Sequence, residues 1–239
     1  MNEIFARTEL LLGADAMARL RESSVLIFGI GGVGGHLTEA LARSGVGRLC
    51  LVDSDRIQES NINRQAVAFL STIGKYKTHV MRDIIADINP VARVETREVF
   101  YLPESSPDFD FCGYDYIIDC IDTVSAKLDI IERAVSCGTP VISAMGAGNK
   151  LDPSLFRVSD ISKTSYCPLA KVMRHELRSR GINHVNVCWS PEIAKTCGRP
   201  PEFQCREARP APGSAAFVPS VCGLVMAGYV VRDLAGCQT

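Results

Sequence analysis

Apolar residues in the first 150 positions follow two alternating patterns. Short apolar runs, typical of buried or half-buried strands, lie at residues 24–28, 48–52, 93–99, 116–121 and 141–144. Apolar residues at helical spacing predict helices over residues 36–44, 77–88 and 125–137. Strands that alternate with helices imply crossover connections between parallel strands, and such crossovers are right-handed. We therefore predict an α/β fold with a mainly parallel, doubly wound sheet and helices on both faces.

The alternation weakens after residue 150, where a last helix is expected to begin with Pro219 at its first position. No apolar run reaches the roughly 20 residues that a membrane-spanning helix needs. The nearest, residues 217–231, is interrupted by Ser220 and Gly223. The first ten residues contain two acids and lack the apolar core of a secretory signal. We therefore expect no membrane span, no cleaved signal and a cytoplasmic location.

Composition excludes the disordered and fibrous classes. The chain has 239 residues, of which 46% are hydrophobic and 22% charged, as is usual for a globular protein. Its ten cysteines include no CxxC pair, so no structural zinc site is expected. Because several cysteines lie in apolar runs, where a free thiol packs as a small hydrophobe, we expect mostly inert thiols in a reducing compartment.

A glycine-rich turn, GIGGVG at residues 29–34, follows the first strand and opens a helix. Glycines permit a tight turn and a close approach of the backbone to a phosphate, and the helix N-terminus offers free N–H groups. Asp53 ends the second strand, where a carboxylate accepts hydrogen bonds from a ribose. This Rossmann-like pattern predicts an adenine nucleotide, and an enzyme that binds NAD would show it as well. The four glycines are Gly29, Gly31, Gly32 and Gly34.

Two cations, Arg64 and Lys77, follow on the loops that return to this nucleotide unit. Cleavage of a triphosphate needs more positive charge than binding of a dinucleotide, because charge accumulates on the departing pyrophosphate. We therefore favour ATP over NAD as the bound nucleotide. Asp122 follows the central strand at the edge where parallel sheets bind ligands, and one carboxylate there can hold Mg²⁺. Asp119 lies within the strand, and we expect it to fix the local backbone instead.

Charge is divided unevenly along the chain. Residues 1–150 contain 15 Lys and Arg against 20 Asp and Glu, whereas residues 151–239 contain 11 against 7. We predict a nucleotide-binding part over the first range and a basic, irregular C-terminal extension over the second, within one continuous globular unit. The extension would face a polyanionic substrate such as RNA, although a solvated helix face would look similar. Its candidate RNA-binding cations are Lys163, Lys171, Arg174, Arg178 and Arg180.

The motifs and their order resemble the ubiquitin-activating-enzyme superfamily of adenylating enzymes, the ThiF/MoeB/HesA group. The matching pieces are RTELLLG at 7–13, GIGGVG at 29–34, LVDSD at 51–55, NINRQ at 61–65, GKYK at 74–77, INP at 88–90 and DCID at 119–122. The resemblance implies a homodimer in which Arg7 acts in trans, magnesium on Asp122, and catalytic roles for Arg7, Arg64, Lys77 and Asp122. It also implies an ATP site made by Gly29, Gly31, Gly32, Gly34, Asp53, Asp55, Asn61, Arg64, Gln65, Lys77 and Asp122.

The second half of the chain is similar to one branch of this superfamily, the tRNA threonylcarbamoyladenosine dehydratases. The similar segments are residues 143–182, 186–192 and 213–228. This resemblance implies ATP-dependent adenylation and cyclisation of N6-threonylcarbamoyladenosine beside the anticodon, with release of AMP and pyrophosphate. A cysteine desulfurase or sulfur acceptor is a further partner that the branch suggests.

Three other functions stay open at this point. One is adenylation of the C-terminus of a ubiquitin-like sulfur-carrier protein, one is NAD-dependent oxidoreduction, and one is nucleotide sensing without catalysis. Enzymes that activate sulfur carriers can use a catalytic cysteine in a crossover loop. The cysteines loosely placed for such chemistry are Cys188, Cys197 and Cys205, and Cys167 lies before Pro168 in the segment assigned to RNA. We interpret these cysteines instead as packed or surface thiols.

Overall fold

Seven strands form one sheet in the order β3-β2-β1-β4-β5-β7-β6, as seen in a computed structural model that describes residues 3–195 and 212–237. All neighbouring pairs are parallel except β6 and β7, which are antiparallel at one edge. This arrangement confirms the predicted Rossmann-like, mainly parallel sheet. The strands β1 to β7 are Ser24–Phe28, Arg48–Val52, Arg93–Arg97, Tyr116–Asp119, Val141–Ala144, Arg157–Asp160 and Asn186–Trp189.

Helices cover both faces of the sheet because alternate strand residues point to opposite sides. In β1, Val25 and Ile27 face the core formed with α2, α3, α4 and α7, whereas Leu26 and Phe28 face the core formed with α5 and α6. The helices α1 to α7 are Ala6–Leu12, Ala14–Glu22, Gly34–Arg43, Lys77–Ile88, Val124–Cys137, Pro168–Ser179 and Phe217–Leu234.

Most predicted elements agree with the structure within two residues. The last helix begins at Phe217 rather than at Pro219, because the N–H of Val218 already donates to the carbonyl of Ala215 at 3.2 Å. Proline is tolerated there since residues in the first turn need no intrahelical N–H donor.

The part after residue 150 is more regular than its pattern suggested. Strand β7 pairs with β5 and carries β6 on its other side, so the sheet continues across the expected boundary at residue 150. The division into two parts stays a prediction. Within the extension, α6 packs against α5 and the antiparallel pair closes one edge of the sheet.

Helix α7 is long and apolar enough to cross a membrane by length and composition alone. Cys222, Met226 and Val230 on this helix are nevertheless buried in the core beside α3. A Cβ atom on Gly223 would lie 2.4 Å from the carbonyl oxygen of Val33, so the two helices cross at close range. Such burial is typical of a core helix.

One cysteine pair departs from the expectation of inert thiols. Cys112 and Cys137 form a disulfide with their Cα atoms 5.2 Å apart. The bond joins a short 3-10 helix, Phe111–Gly113, to the C-terminus of α5. A structural disulfide is atypical of a reducing compartment.

Candidate active site

The glycine-rich turn between β1 and α3 is closed so tightly that only glycine fits at two positions. Gly29 has a left-handed φ of 88°, and its N–H donates to the carbonyl of Val52 at 2.8 Å. A Cβ atom on Gly34 would lie 1.8 Å from the carbonyl oxygen of Gly29. Around Gly31, in contrast, no heavy atom of the described residues lies within 4 Å of a built Cβ position. The turn therefore presents open backbone at the N-terminal end of α3, as an anion-binding helix N-terminus requires.

Asp53 braces this turn at the end of β2. Its Oδ2 accepts the N–H of Ile30 at 2.7 Å, and its Oδ1 accepts the N–H of Asp55 at 2.8 Å. Burial raises the pKa of Asp53, and the positive charge of Lys77 opposes that shift. A carboxylate has about four lone-pair sites, so Asp53 retains capacity for a ribose hydroxyl.

Lys77 brings a buried cation to the two aspartates. It begins α4, and its side chain is only 6% exposed. The Nζ atom lies 2.6 Å from Oδ2 of Asp55 and 3.9 Å from Oδ2 of Asp53. The sequence separates Lys77 from Asp53 by more than twenty residues, and the fold brings the two side chains together. A contact of Lys77 with a phosphate stays a prediction.

Arg64 lies directly against the glycine-rich turn. Its Cγ atom is 3.6 Å from the position of a Cβ on Gly32, and its guanidinium donates to the carbonyl of Ser60 and to Oδ1 of Asn63. These two bonds, at 2.8 and 2.9 Å, hold a half-exposed cation beside the turn. The structure therefore places Arg64 beside the turn, and its contact with a phosphate stays a prediction.

Two of the three amide side chains in the loop at residues 61–65, those of Asn61 and Gln65, are buried. Oδ1 of Asn61 accepts the N–H of Gln58 at 3.1 Å and so stabilises the loop itself. The Oε1 atom of Gln65 has no hydrogen-bond partner among the described residues. A direct contact of either residue with a phosphate or ribose stays a prediction.

Residues at the start of α7 also border the turn, which the sequence did not indicate. The position of a Cβ on Gly32 is 3.3 Å from Cβ of Pro219. The side-chain amide of Asn63 donates to the carbonyl of Ser214 at 2.9 Å. The C-terminal segment therefore contributes one wall of the site.

A fully buried ion pair fixes the corner between β4 and α5. Nζ of Lys127 lies 2.8 Å from Oδ2 of Asp119, and both side chains are completely inaccessible to solvent. The hydroxyl of Ser143 donates to the same carboxylate oxygen at 2.6 Å, and Nζ of Lys127 also donates to the carbonyl of Ile121. The expectation that Asp119 fixes the local backbone is thereby confirmed.

Sequence reasoning missed Lys127, although a signal for its burial existed. It lies three, four and seven residues before Ile130, Ile131 and Ala134, the positions that form the buried stripe of α5. A lysine in register with such a stripe needs a buried acidic partner.

Asp122 projects beyond this corner as an exposed residue. Its carboxylate has no hydrogen-bond or ion-pair partner within the described ranges. No cluster of three or more His, Cys, Asp or Glu suited to a metal occurs in the described part of the chain. This donor set fits Mg²⁺ in its common nucleotide mode, since that ion takes one or two carboxylates and obtains its other ligands from phosphates and water.

The family model described as ThiF family matches residues 5–239. The chain belongs to the ThiF family.

This chain is 45% identical over 239 residues to the tRNA threonylcarbamoyladenosine dehydratase of Bacillus subtilis strain 168. The alignment covers 96% of this chain and 94% of the relative. Crystal structures of the E. coli tRNA N6-threonylcarbamoyladenosine dehydratase are also similar, at 30% identity over 98% of this chain and 94% of theirs. The TM-score is 0.87 for the complex with ATP and 0.88 for the complex with AMP.

Arg7, the first arginine of the ThiF-family pattern, is exposed on α1. The structure gives it no hydrogen-bond or ion-pair partner within the described residues. Leu10 and Leu11 on the same helix are 89% and 83% exposed. An action of Arg7 on a partner subunit stays a prediction.

The basic segment is placed only partly as an RNA contact would require. Lys163, Lys171 and Arg178 are exposed. Arg174 turns inward and donates to the carbonyl of Thr164 at 2.9 Å. Arg180 forms ion pairs with two glutamates, at 3.0 and 3.7 Å. Lys163, Lys171 and Arg178 are therefore the cations of this segment that remain free to contact a phosphate.

Of the four candidate cysteines, the two that the structure describes lack an exposed position for catalysis. Cys167 and Cys188 are buried, and Sγ of Cys222 lies 3.6 Å from Sγ of Cys188. Burial raises the pKa of the Cys120 thiol, which lies beneath the glycine-rich turn. Cys197 and Cys205 lie outside the described residues.

Proposed function

We propose that this chain is an ATP-dependent tRNA threonylcarbamoyladenosine dehydratase. The observation that carries the proposal is the arrangement at the glycine-rich turn: Arg64 packs against Gly32, and Asp53, which accepts the N–H of Ile30, lies 3.9 Å from Nζ of Lys77. A relative named for this activity is 45% identical over nearly its whole length, and the E. coli structures of the same name contain ATP or AMP.

The reaction begins with activation of a poor electrophile. The carboxylate of the modified adenosine attacks the α-phosphorus of ATP, so a carboxyl–phosphate bond forms while the α–β phosphoanhydride breaks and pyrophosphate departs. The neighbouring carbamoyl group then attacks the activated carboxyl carbon, closes the ring and releases AMP. Proximity within the substrate supplies the nucleophile, so no nucleophilic side chain of the protein is required.

The protein contributes position and positive charge. Arg64 offers a planar fork to phosphate oxygens, and Lys77 offers a point charge to the same anion. Asp53 stabilises the glycine-rich turn and accepts a hydrogen bond from a ribose hydroxyl. A cation in such a preorganised, partly dry site stabilises charge that develops in the transition state.

Mg²⁺ would be held by Asp122 and would supply charge neutralisation at the phosphates. The carboxylate of Asp122 is exposed at the edge of the sheet, and the buried pair of Asp119 and Lys127 fixes the backbone beneath it.

The functional unit in this proposal is a homodimer in the cytoplasm, with tRNA as substrate and a sulfur-transfer protein as a further partner. Arg7 of one subunit reaches the nucleotide of the other. The exposed leucines of α1, Leu10 and Leu11, support burial of this helix against a second subunit.

Exchange of labelled pyrophosphate into ATP separates this function from activation of a carrier protein. The dehydratase predicts exchange with tRNA that carries threonylcarbamoyladenosine and none with unmodified tRNA or with a ubiquitin-like carrier. Exchange with the carrier alone would establish the alternative instead.

The matched variants are Asp122→Asn and Asp87→Asn. Both residues are exposed aspartates, but Asp87 lies in the last turn of α4, at the opposite end of that helix from Lys77 and the candidate site. We expect D122N to lose exchange by roughly 100-fold or more, since it removes the metal-holding charge, and D87N to keep it. Equal activity of the two variants would remove Asp122 from the mechanism.

A further inference from the structure

An exposed tyrosine adopts a backbone conformation that its side chain disfavours. Tyr166 has a φ of 56°, in the left-handed region, and is 73% exposed. The other residue besides glycine with positive φ in the described ranges is Asn149, a type that tolerates this region far better. A bulky residue persists there only when its surroundings impose the conformation, and such sites are common where ligands bind.

Contacts on both sides of Tyr166 impose this conformation. The N–H of Cys167 donates to the carbonyl of Ser165 at 2.7 Å, and the Cys167 side chain is buried. On the preceding side, Arg174 of α6 donates to the carbonyl of Thr164. The backbone is therefore held at both ends while the ring projects outward. Within the described part of the chain, the Tyr166 ring has no stacking partner and its hydroxyl has no hydrogen-bond partner.

The tyrosine lies near the carboxyl ends of the strands, where the candidate active site is also located. Sγ of Cys167 is 3.8 Å from the position of a Cβ on Gly146, which follows the carboxyl end of β5. Strand β5 is the neighbour of β4, whose carboxyl end leads to Asp122. Neighbouring strands are about 4.8 Å apart, so both strand ends belong to the same crevice rim.

The charge around Tyr166 suits a polyanion. Lys163 and Lys171, which precede and follow Tyr166 in the sequence by three and five residues, are both exposed, and the sequence between Asp160 and Glu176 contains no acid. Exposed aromatic rings together with cations are the usual means of binding single-stranded nucleic acid. Every base has a π-face that stacks on an aromatic ring, and every phosphodiester group carries a negative charge that attracts a cation.

We propose that Tyr166 is a stacking platform for an unpaired nucleobase of the RNA substrate, with Lys163 and Lys171 on the adjacent phosphates. The inference rests on the proposed function, since it assumes that tRNA is the substrate. It adds a base-recognition site that positions the anticodon loop at the crevice. Tyr166 is a positioning residue and takes no part in the chemical step.

The test measures the Kd of the full-length protein for tRNA carrying threonylcarbamoyladenosine, by fluorescence anisotropy at several salt concentrations. Tyr166→Ala is expected to weaken binding by roughly 5- to 100-fold, the usual effect of losing one base–aromatic stack, and Tyr166→Trp to retain it. The slope of log Kd against log salt should not change in Y166A, whereas Lys163→Ala should lower it by about 0.7 to 1.

Tyr166→Gly separates binding from folding. Glycine adopts positive φ without strain, so this variant should melt no lower than wild type and yet bind tRNA as weakly as Y166A. The KM for tRNA should rise in both variants while the KM for ATP stays unchanged.

The experiments distinguish failure of the stacking site from failure of the proposed function. If the wild-type protein cyclises the nucleoside but Y166A and Y166G bind tRNA normally, the stacking site is refuted and the proposed function stands. If the wild-type protein neither binds nor cyclises modified tRNA, both proposals fail.

Discussion

Replacing Lys127 by methionine removes the ammonium group that neutralises a carboxylate buried beneath the candidate active site. Lys127 and Asp119 are both fully inaccessible, and their charged atoms are 2.8 Å apart. Methionine keeps most of the side-chain volume, so the change tests charge rather than packing. The hydroxyl of Ser143 and the N–H of Ile121 would still donate to Asp119.

The expected loss in the free energy of unfolding is about 3–5 kcal/mol, the usual cost of leaving one member of a buried pair uncompensated. We expect the lower part of that range, because two hydrogen bonds to the carboxylate survive. The double variant Asp119→Asn, Lys127→Met carries no buried charge and keeps an acceptor for Ser143. It should therefore recover most of the lost stability.

Urea unfolding of the wild type, both single variants and the double variant measures this cycle directly. A second readout is pyrophosphate exchange, because Nζ of Lys127 also holds the carbonyl of Ile121, one residue before Asp122. K127M should lose exchange even where it remains folded. If K127M were within about 1 kcal/mol of wild type, or the double variant were less stable than K127M, the reasoning from buried charge would be refuted.

Three further predictions concern the pocket and the subunit contact. Gly31→Ala should leave the melting temperature unchanged yet weaken ATP binding, because the added methyl group meets no atom of the described residues, whereas Gly34→Ala should destabilise the fold; the reverse order would contradict the geometry. Lys77→Met should raise the pKa of Asp53 further, since it removes the opposing cation, so ATP affinity measured against pH should fall off at a higher pH than in wild type; an unchanged acid limb would contradict this. Mixing and refolding inactive Arg7→Ala and K77M proteins should restore roughly a quarter of wild-type activity if Arg7 acts in trans, and none if it acts within its own subunit.

The sequence predicted the nucleotide half of the fold well, because its signals are local. The apolar runs of β1 and β2 and the period of α4 specify those elements almost to the residue. The turn at residues 29–34 and Asp53 are close in the fold since they end adjacent parallel strands. Hydrophobic periodicity and turn chemistry act over a few residues and are therefore visible in one chain.

The remaining features depend on long-range packing. The strands β6 and β7 are short, and β6 is partly exposed, so their apolar signal is weak. The contact of Pro219 with the glycine-rich turn and the disulfide between Cys112 and Cys137 join segments that are distant in the sequence. The left-handed φ of Tyr166 lies between a hydrogen bond from Arg174 of α6 to Thr164 and a hydrogen bond from Cys167 to Ser165, and no local pattern indicates it.

Mass spectrometry of nucleosides tests the central claim most directly. Purified protein is incubated with ATP, Mg²⁺ and tRNA that carries threonylcarbamoyladenosine, and the digested nucleosides are compared with a reaction that lacks ATP. The proposed function predicts conversion of threonylcarbamoyladenosine to a product lighter by one water, with one AMP released for each nucleoside converted. An unchanged nucleoside in the presence of ATP, from a protein that binds the nucleotide, would contradict it.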